Sequence, residues 1–552
     1  MKAISNQNNW QPSWLPKVFF IISGTTLTAL SALTAYISVD SIFTFVLLGI
    51  ICSFLILCFF TFKLKFLEKI FFNLNKAQLF ISALLSLTAV YNNAIYFYKK
   101  SYKLIEKLPN FPSQSVGIFI TVLGIFSIFA AFVYFYAFVS RFYYIYKDWI
   151  SKTDKCEKYY FIISGIIFVV AIIVIYNSTT AFYSPEINGE VANNVISSAD
   201  SASLSEQNAF INIGVYSNDI RQPLFGVFAA PFAALAYLLS LMLFFIPNAY
   251  PVMLAIVQIV LLLSCFITVS RMLNLASYIK MIFLIICAVT FPTLLFSVVL
   301  EQYIFALFWL TLFIYSYISE KEKRNYFFIA ATGSLMTSGI MFPLIFDGKN
   351  FKECLRRIIR TIWEFLALLT IFGHFSTVLF AFQTIKSQLS LYSGVELSFY
   401  NKLLQFLNFT ALCFIKPNFM IEPLGENFSY QLAYGGNLYY LAGIVFLILS
   451  ILGFILNRKN NFAKICMVWV VISFLLLCVI GWGTKENGLV LYSLYFSWAY
   501  IALVFMLIEK LFTKWKTARY VIYSSAIIAL VIVNFTGMYE IINFGIQHYP
   551  SR

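Results

Sequence analysis

The 552 residues are 61% hydrophobic, 19% aromatic and only 11% charged, with 38 Lys and Arg against 23 Asp and Glu. Soluble domains average about 25% charged residues, and a chain this apolar cannot cover its own surface in water. The net charge of +15 excludes no membrane role and does not indicate nucleic acid, because the cations fall in short clusters between apolar runs and form no single patch.

Taken in chain order, apolar runs near twenty residues occur at 18–38, 41–61, 78–98, 116–138, 159–177, 225–246, 250–270, 281–299, 302–318, 361–381, 437–456, 465–482, 487–508 and 520–537. At ~1.5 Å per residue each crosses a hydrocarbon core of ~30 Å, which predicts an all-α, polytopic transmembrane bundle of about 12–14 spans. The spans must be helical because backbone groups in lipid need internal partners, and the period-2 alternation of a membrane barrel is absent. Placing the N-terminus in the cytoplasm puts Lys2, Lys17 and the clusters at 63–76, 141–158, 271–280, 321–324, 349–360, 458–464 and 510–519 on the inner side, with an external C-terminus.

Two stretches need special handling. Only two apolar runs separate Arg221 from Arg271 where an odd number of crossings is required, so 225–246 is expected to dip in and return at Pro247–Pro251 while 250–270 crosses. The run 326–346, interrupted by Gly333 and Gly339 and basic on both flanks, reads as a re-entrant pair. Of the nine cysteines only Cys413 falls in an outer loop, so no disulfide framework is expected. No cleavable signal peptide is evident, since 18–38 is too long for one and reads as a first span.

Residues 1–155 form a four-span block with small, Lys-rich loops, suited to helix packing or to docking a membrane partner. From 156 to 552 the chain carries two long outer loops, 178–224 and 382–436, and loops of this length are usually functional or disordered. The first contains Glu186, Glu190, Asp200, Glu206 and Asp219 with Arg221 as its cation. The bland reading is a solvated loop with an Asx-turn at Asn218–Asp219 and a helix cap at Asp200 or Ser201. Its last residues, Asp219-Ile220-Arg221-Gln222-Pro223-Leu224, lead into an apolar helix with Pro223 suited to the first helical position.

A single span, a long acidic outer loop and a polar-Pro-Leu entry into the next helix resemble the GT-C superfamily of polyprenyl-phosphate-dependent glycosyltransferases. Several members have His-Pro-Pro-Leu where this chain has Arg221-Gln222-Pro223-Leu224. The Pro292 turn followed by Glu301-Gln302-Tyr303, the broken 326–346 pair and the segment 481–500 are similar as well, so the likeness covers roughly 156–540; the missing His and the four leading spans depart from the pattern. The resemblance implies transfer of a sugar from a polyprenyl-phosphate donor to a cell-envelope glycan, lipid or polymer acceptor at the outer face of a bacterial membrane. It also implies an acidic residue in the first outer loop that takes the proton from the acceptor hydroxyl. Asp200 is the first candidate, with Asp219 and Glu301 behind it.

The leaving phosphate needs cations at the outer surface. Arg221 ranks first among them because a guanidinium grips two phosphate oxygens; Gln222, Lys402 and Lys485 complete the binding set. Arg221 reads equally well as a salt bridge to Asp219, and Lys485 as a solvated charge in the Gly481–Gly488 turn. Glu364 follows Arg356, Arg357 and Arg360 at helical spacing and reads as an ion pair. No cofactor is indicated by motif. Some members of the superfamily use a divalent metal ion, and the loop has carboxylates for one, but at no diagnostic spacing; His374 and His548 are far apart, and no zinc or nucleotide motif is present. Two other classes compete. A polysaccharide polymerase or ligase would carry arginines in its late outer loop, and 382–436 has none; a flippase or transporter of lipid-linked sugar would place charges deep in several helices, whereas here they cluster at the ends.

Overall fold

The capping box Asp154-Lys155-Cys156-Glu157 opens the helix Lys155–Ser178. The Glu157 amide donates to Asp154 Oδ1 (2.8 Å), and Glu157 Oε2 accepts from the Asp154 amide (3.1 Å). A computed structural model describes residues 76–87, 113–187, 190–191, 195–197, 199, 201–205, 221–246, 248–319, 324–345, 350–371, 381–424, 427–432, 436–485 and 489–551.

The helices are α1 (Lys76–Leu87), α2 (Ser113–Ser151), α3 (Lys155–Ser178), α4 (Ser201–Ser205), α5 (Phe225–Met242), α6 (Ala249–Met272), α7 (Ser277–Val289), α8 (Phe291–Val298), α9 (Tyr303–Ile318) and α10 (Asn325–Ser334). After a 3-10 segment, Met336–Ile345, come α11 (Phe351–Ile371), α12 (Ala381–Tyr392), α13 (Phe399–Leu412), α14 (Asn437–Leu456), α15 (Asn461–Ser473), α16 (Leu489–Leu511) and α17 (Lys516–His548). Sheet is confined to two antiparallel hairpins, β1 (Glu186–Ile187) with β2 (Glu190–Val191) and β3 (Phe419–Leu424) with β4 (Asn427–Leu432).

The protein is an all-α polytopic bundle built for a membrane. Among the described residues seven helices are long and apolar enough to cross one: α3, α5, α6, α14, α16, α17 and α15 with its continuation to Val479. The bent pair α7–α8 makes an eighth if taken as one span. Their lipid-type exteriors are plain in α14, where Leu438, Leu441, Ile448 and Ile455 are exposed, while Trp469, Tyr495 and Trp498 of α15 and α16 are buried.

Several expectations are corrected. The run 281–299 begins at Ser277 and bends by 62° at Thr290, because Pro292 cannot donate into a continuing ladder. Residues 361–371 of the run 361–381 belong to a helix that starts ten residues earlier, at Phe351, in which Glu353 pairs with Arg357 (2.7 Å) and Arg360 with Glu364 (3.0 Å); 372–380 lie outside the described residues. The run 520–537 is the middle of the 33-residue α17. Helix α5 starts at Phe225, two residues beyond Pro223, since the Phe225 amide closes a turn on the Gln222 carbonyl. Where a turn was expected at Pro247–Pro251, Asn248 is left-handed (φ 55°) directly before α6, which already contains Pro251, while Pro247 lies outside the described residues. The 326–346 pair is broken at Leu335, where the backbone turns extended, and at neither of its glycines. The runs 18–38 and 41–61 lie outside the described residues, as does much of 78–98.

The chain divides into two compact units. The smaller comprises Met1–Ser151, Ile211–Val227 and Ile340–Ala381; the larger comprises Lys152–Phe210, Phe228–Gly339 and Phe382–Arg552. In the smaller, α1 meets α2 through a bond from Ser140 Oγ to Gln78 Oε1 (3.1 Å).

The larger unit has two unlike ends. At one, Glu157 of α3 receives Arg271 of α6 (2.6 Å) and Lys280 of α7 (2.9 Å), and Lys280 also reaches Asp154 (2.6 Å). Glu509 of α16 holds Arg519 (2.9 Å) and the Tyr523 hydroxyl (2.7 Å) of α17 at this same end, where Tyr278 and Tyr520 meet. This is the charged end. At the other, the loop end, the segment 195–197 of the first long loop lies against the second.

Candidate functional site

Neither long loop is structureless. The segment 195–197 pairs with β4: Ser197 N donates to Tyr430 O (2.7 Å), Tyr430 N to Val195 O (2.8 Å) and Gln431 Nε2 to Ser197 O (3.3 Å). The first loop thereby gains a place beside the second. The last residues of α17 join them, with Tyr549 Oη donating to Phe428 O (2.6 Å) and the Thr180 amide and Thr179 Oγ1 donating to Tyr549 O (2.9 and 2.7 Å). Burial pushes the Tyr430 phenol up to about 12, with the Glu540 carboxylate acting in the same direction. Burial alone does the same to Tyr183, which accepts from Asn248 Nδ2 (2.7 Å), so both phenols stay protonated at neutral pH.

The second loop, expected as 382–436, holds α12, α13 and the β3–β4 hairpin. Ser398 caps α13 by accepting from the Asn401 amide (3.2 Å). This helix packs into the bundle: a Cβ at Gly443 of α14 would lie 1.9 Å from the Leu407 carbonyl oxygen, so the two backbones touch. Phe406 meets Phe474 (5.3 Å) and Phe409 meets Phe496 (6.2 Å). Phe474 opens a π-helical turn, Phe474–Val479, by which α15 ends; such turns are frequent at functional sites.

Beyond the π turn the chain passes through Gly481 and Gly483, both at φ +76°, which other residues adopt at a cost. The turn 481–485 is fastened to α12 by Gly483 N on Tyr392 O (3.0 Å) and to Gly394 by Thr484 Oγ1, which accepts from its amide (3.0 Å). A row of rings follows: Tyr392 on Trp482 (5.6 Å), Trp482 Nε1 donating to Tyr492 Oη (2.7 Å), Tyr492 on Tyr303 (5.2 Å) and Tyr303 near Tyr495 (6.2 Å). Tyr495 Oη pairs with Ser338 Oγ.

The sequence-derived candidates fall as follows. Lys402 and Lys485 are brought together at the 481–485 turn. The Lys402 stem lies against Gly481, with Nζ 3.1 Å from where a Cβ would stand, and Lys485 is exposed, donating to Ser390 O (3.3 Å). Glu301 is fully buried just before α9; its Oε1 accepts from the Gln302 amide (2.9 Å) and its own amide donates to Gln258 Oε1 (3.0 Å). Two residues on, Tyr303 joins the ring row. Arg221 and the buried Gln222 belong to the smaller unit. Asp200 and Asp219 lie outside the described residues, although Ala199 and Ser201, the neighbours of Asp200, are buried.

Sequence reasoning missed two polar side chains of α13. Asn408 is 1% exposed and, among the described residues, neither amide atom has a hydrogen-bond partner; Gln405, 9% exposed, has an Oε1 unpartnered among them. A buried amide left unpaired costs about 1–3 kcal/mol. The three-residue spacing of Lys402, Gln405 and Asn408 was the available signal. Among the described residues no group of three His, Cys, Asp or Glu side chains is placed to hold a metal ion.

No family model matches the chain, and neither a curated protein nor a solved structure shows significant similarity to it.

Proposed function

We propose that this membrane protein is a glycosyltransferase that moves a sugar from a polyprenyl-phosphate donor to a cell-envelope glycan, lipid or polymer acceptor. The observation that supports this best is the meeting of both long loops at one end of a lipid-type bundle, the end that also gathers Lys402, Lys485 and the Trp482–Tyr492–Tyr303 ring row. Aromatic faces and cations suit a phosphorylated sugar better than a purely apolar substrate. In this reading the cytoplasm holds the N-terminus and the charged end, and the loop end faces outward with the C-terminus.

The chemistry divides simply. A carboxylate, Asp200 first and then Asp219 or Glu301, removes the acceptor hydroxyl proton as that oxygen attacks the sugar C1. The C1–O bond to phosphate breaks and the polyprenyl phosphate leaves with its charge met by Arg221, Lys402 or Lys485. Residues 1–155 are left for a membrane partner.

The test is transfer of radiolabelled glucose from undecaprenyl-phosphate glucose by the full chain purified in detergent. Asp200→Asn is expected to lower turnover by ~10²–10⁴ with an unchanged melting temperature. Wild-type turnover in that variant would move the base to Asp219 or Glu301, tested by Asp219→Asn and Glu301→Gln. A wild-type protein that transfers nothing, yet carries the lipid-linked sugar across vesicles, would replace the transferase with a flippase.

A further inference from the structure

We infer that the face of α13 carrying Lys402, Gln405 and Asn408 binds the headgroup of a ligand that is both phosphorylated and polyhydroxylated, with the phosphate on Lys402 and the hydroxyls on the two amides. The inference rests on the transferase reading only for the lipid-linked form of that ligand.

Three residues apart, these side chains wind along the helix with successive offsets of about 60°. Leu407, on the far side, is the point of backbone contact with Gly443, and Phe406 and Phe409 engage Phe474 and Phe496. The polar arc is therefore distinct from the Leu407 contact with α14, while Phe409, which falls in angle between Lys402 and Gln405, packs on α16 through Phe496. Burial deepens along it, from half-buried Lys402 to Gln405 at 9% and Asn408 at 1% exposure. Among the described residues no carboxylate pairs with Lys402. The stem of Lys402 is held against Gly481, where any side chain would collide with it.

The unmet atoms select the ligand. Gln405 Oε1 and one end of the Asn408 amide are acceptors, and a bare phosphate, which only accepts at its ionised oxygens, cannot satisfy them. A hydroxyl both donates and accepts, so one hydroxyl can serve each amide. The ammonium of Lys402, by contrast, calls for an anion. A sugar phosphate meets both demands within one headgroup, and the half-buried-to-buried gradient orders them, phosphate outside and sugar within.

The test measures binding to the full chain in detergent by native mass spectrometry, with melting temperatures recorded alongside. The probes are undecaprenyl-phosphate glucose, undecaprenyl phosphate, glucose 1-phosphate and phosphatidylglycerol. Wild type is expected to bind undecaprenyl-phosphate glucose about tenfold tighter than undecaprenyl phosphate, the gain from hydrogen bonds to neutral hydroxyls. Asn408→Leu and Gln405→Leu should each shrink that preference without lowering the melting temperature, because the removed amide atoms leave no protein partner behind. Lys402→Gln should weaken both lipids alike. If glucose 1-phosphate shows the same dependence on Asn408, the sugar phosphate is bound whether lipid-linked or free; if it shows none while the lipid-linked sugar does, the lipid is required. Equal affinity for both undecaprenyl lipids in wild type, binding of phosphatidylglycerol as tight as that of the glucose lipid, a preference undiminished in both Leu variants, or a lower melting temperature in both would overturn the inference. Should the binding pattern hold while the wild type transfers no sugar, the site stands and the transferase reading falls. Transfer that proceeds undiminished in Asn408→Leu and Gln405→Leu has the opposite meaning.

Discussion

Asn534 of α17 and Asn408 of α13 are both sealed from solvent, at 0% and 1% exposure, yet their surroundings differ completely. Asn534 Nδ2 donates to Val289 O and Phe414 O, both at 2.8 Å, and its Oδ1 accepts from the Lys416 amide at 2.8 Å. Val289 is the last residue of α7, whose carbonyl the Pro292 bend has left outside any helix ladder, so this amide repairs the break. Asn408 repairs nothing, since among the described residues neither of its side-chain amide atoms meets a donor or acceptor. A buried asparagine is thus structural where each atom answers a backbone group. Where the atoms are left open it is a cost carried for something else.

The charged end extends the same contrast and offers the strongest way to break it. Arg271 and Glu157 are 8% and 0% exposed and joined at 2.6 Å. Arg271→Leu leaves that buried carboxylate with Lys280 and the Asp154 amide and is expected to cost about 3–5 kcal/mol of stability. A loss under 1 kcal/mol in the melting of the purified protein would mean that the paired end is no firmer than the open one. Next in size is Asn534→Leu. It strands the Val289 carbonyl and the Lys416 amide and leaves the Phe414 carbonyl with the Phe291 amide alone, and the expected loss is about 2–3 kcal/mol. Set beside an unchanged Asn408→Leu, it would sharpen the distinction; equal effects in the two variants would erase it.

The smallest effect concerns Asp154. Burial opposes its charge, but hydrogen bonds from Lys280 and from the Glu157 amide outweigh that, holding its carboxyl below the ordinary value of 3.8. A depressed folded pKa adds stability above the unfolded value and loses it as pH falls through the folded one. Asp154→Asn keeps the cap and loses the Lys280 pair, so wild type should lead by less than about 1 kcal/mol at pH 7, the worth of a partly exposed pair. That lead should persist to about pH 4 and close below it, as read from melting temperatures across an acid series. A lead that instead widened on acidification would reverse the sign of the coupling.

The membrane class was legible from composition because it depends on run length and apolarity alone. The bend at Pro292 and the turn before α6 were legible too, each resting on the local chemistry of proline or of a short connection. The helices inside 382–436 were hidden because Phe399–Leu412 is too short and too mixed to read as a span, and Pro417 and Pro423 suggested a loop. Pro423 sits in β3, whose one strand partner among the described residues is β4, an edge setting that tolerates a missing donor. Lys402 and Lys485 were found as scarce cations, but nothing in the sequence announced that Gly481, four residues before Lys485, packs against Lys402. Asn408 and Asn534 look alike in sequence. What separates them is backbone from residues 289, 414 and 416, which only the tertiary structure brings in.

One bond bears on how the larger unit is made. Thr179 Oγ1 reaches Tyr549 O across 370 positions of chain. At translation rates of about 5–20 residues per second, the end of α3 waits roughly 20–70 s for its partner to leave the ribosome. During that interval Thr179 and Thr180 must find temporary partners in water, headgroups or the insertion machinery. The unit closes by joining its first helix to its last, so its final tightening is a single late event, and a nascent chain stalled before α17 would keep its loop end unfastened.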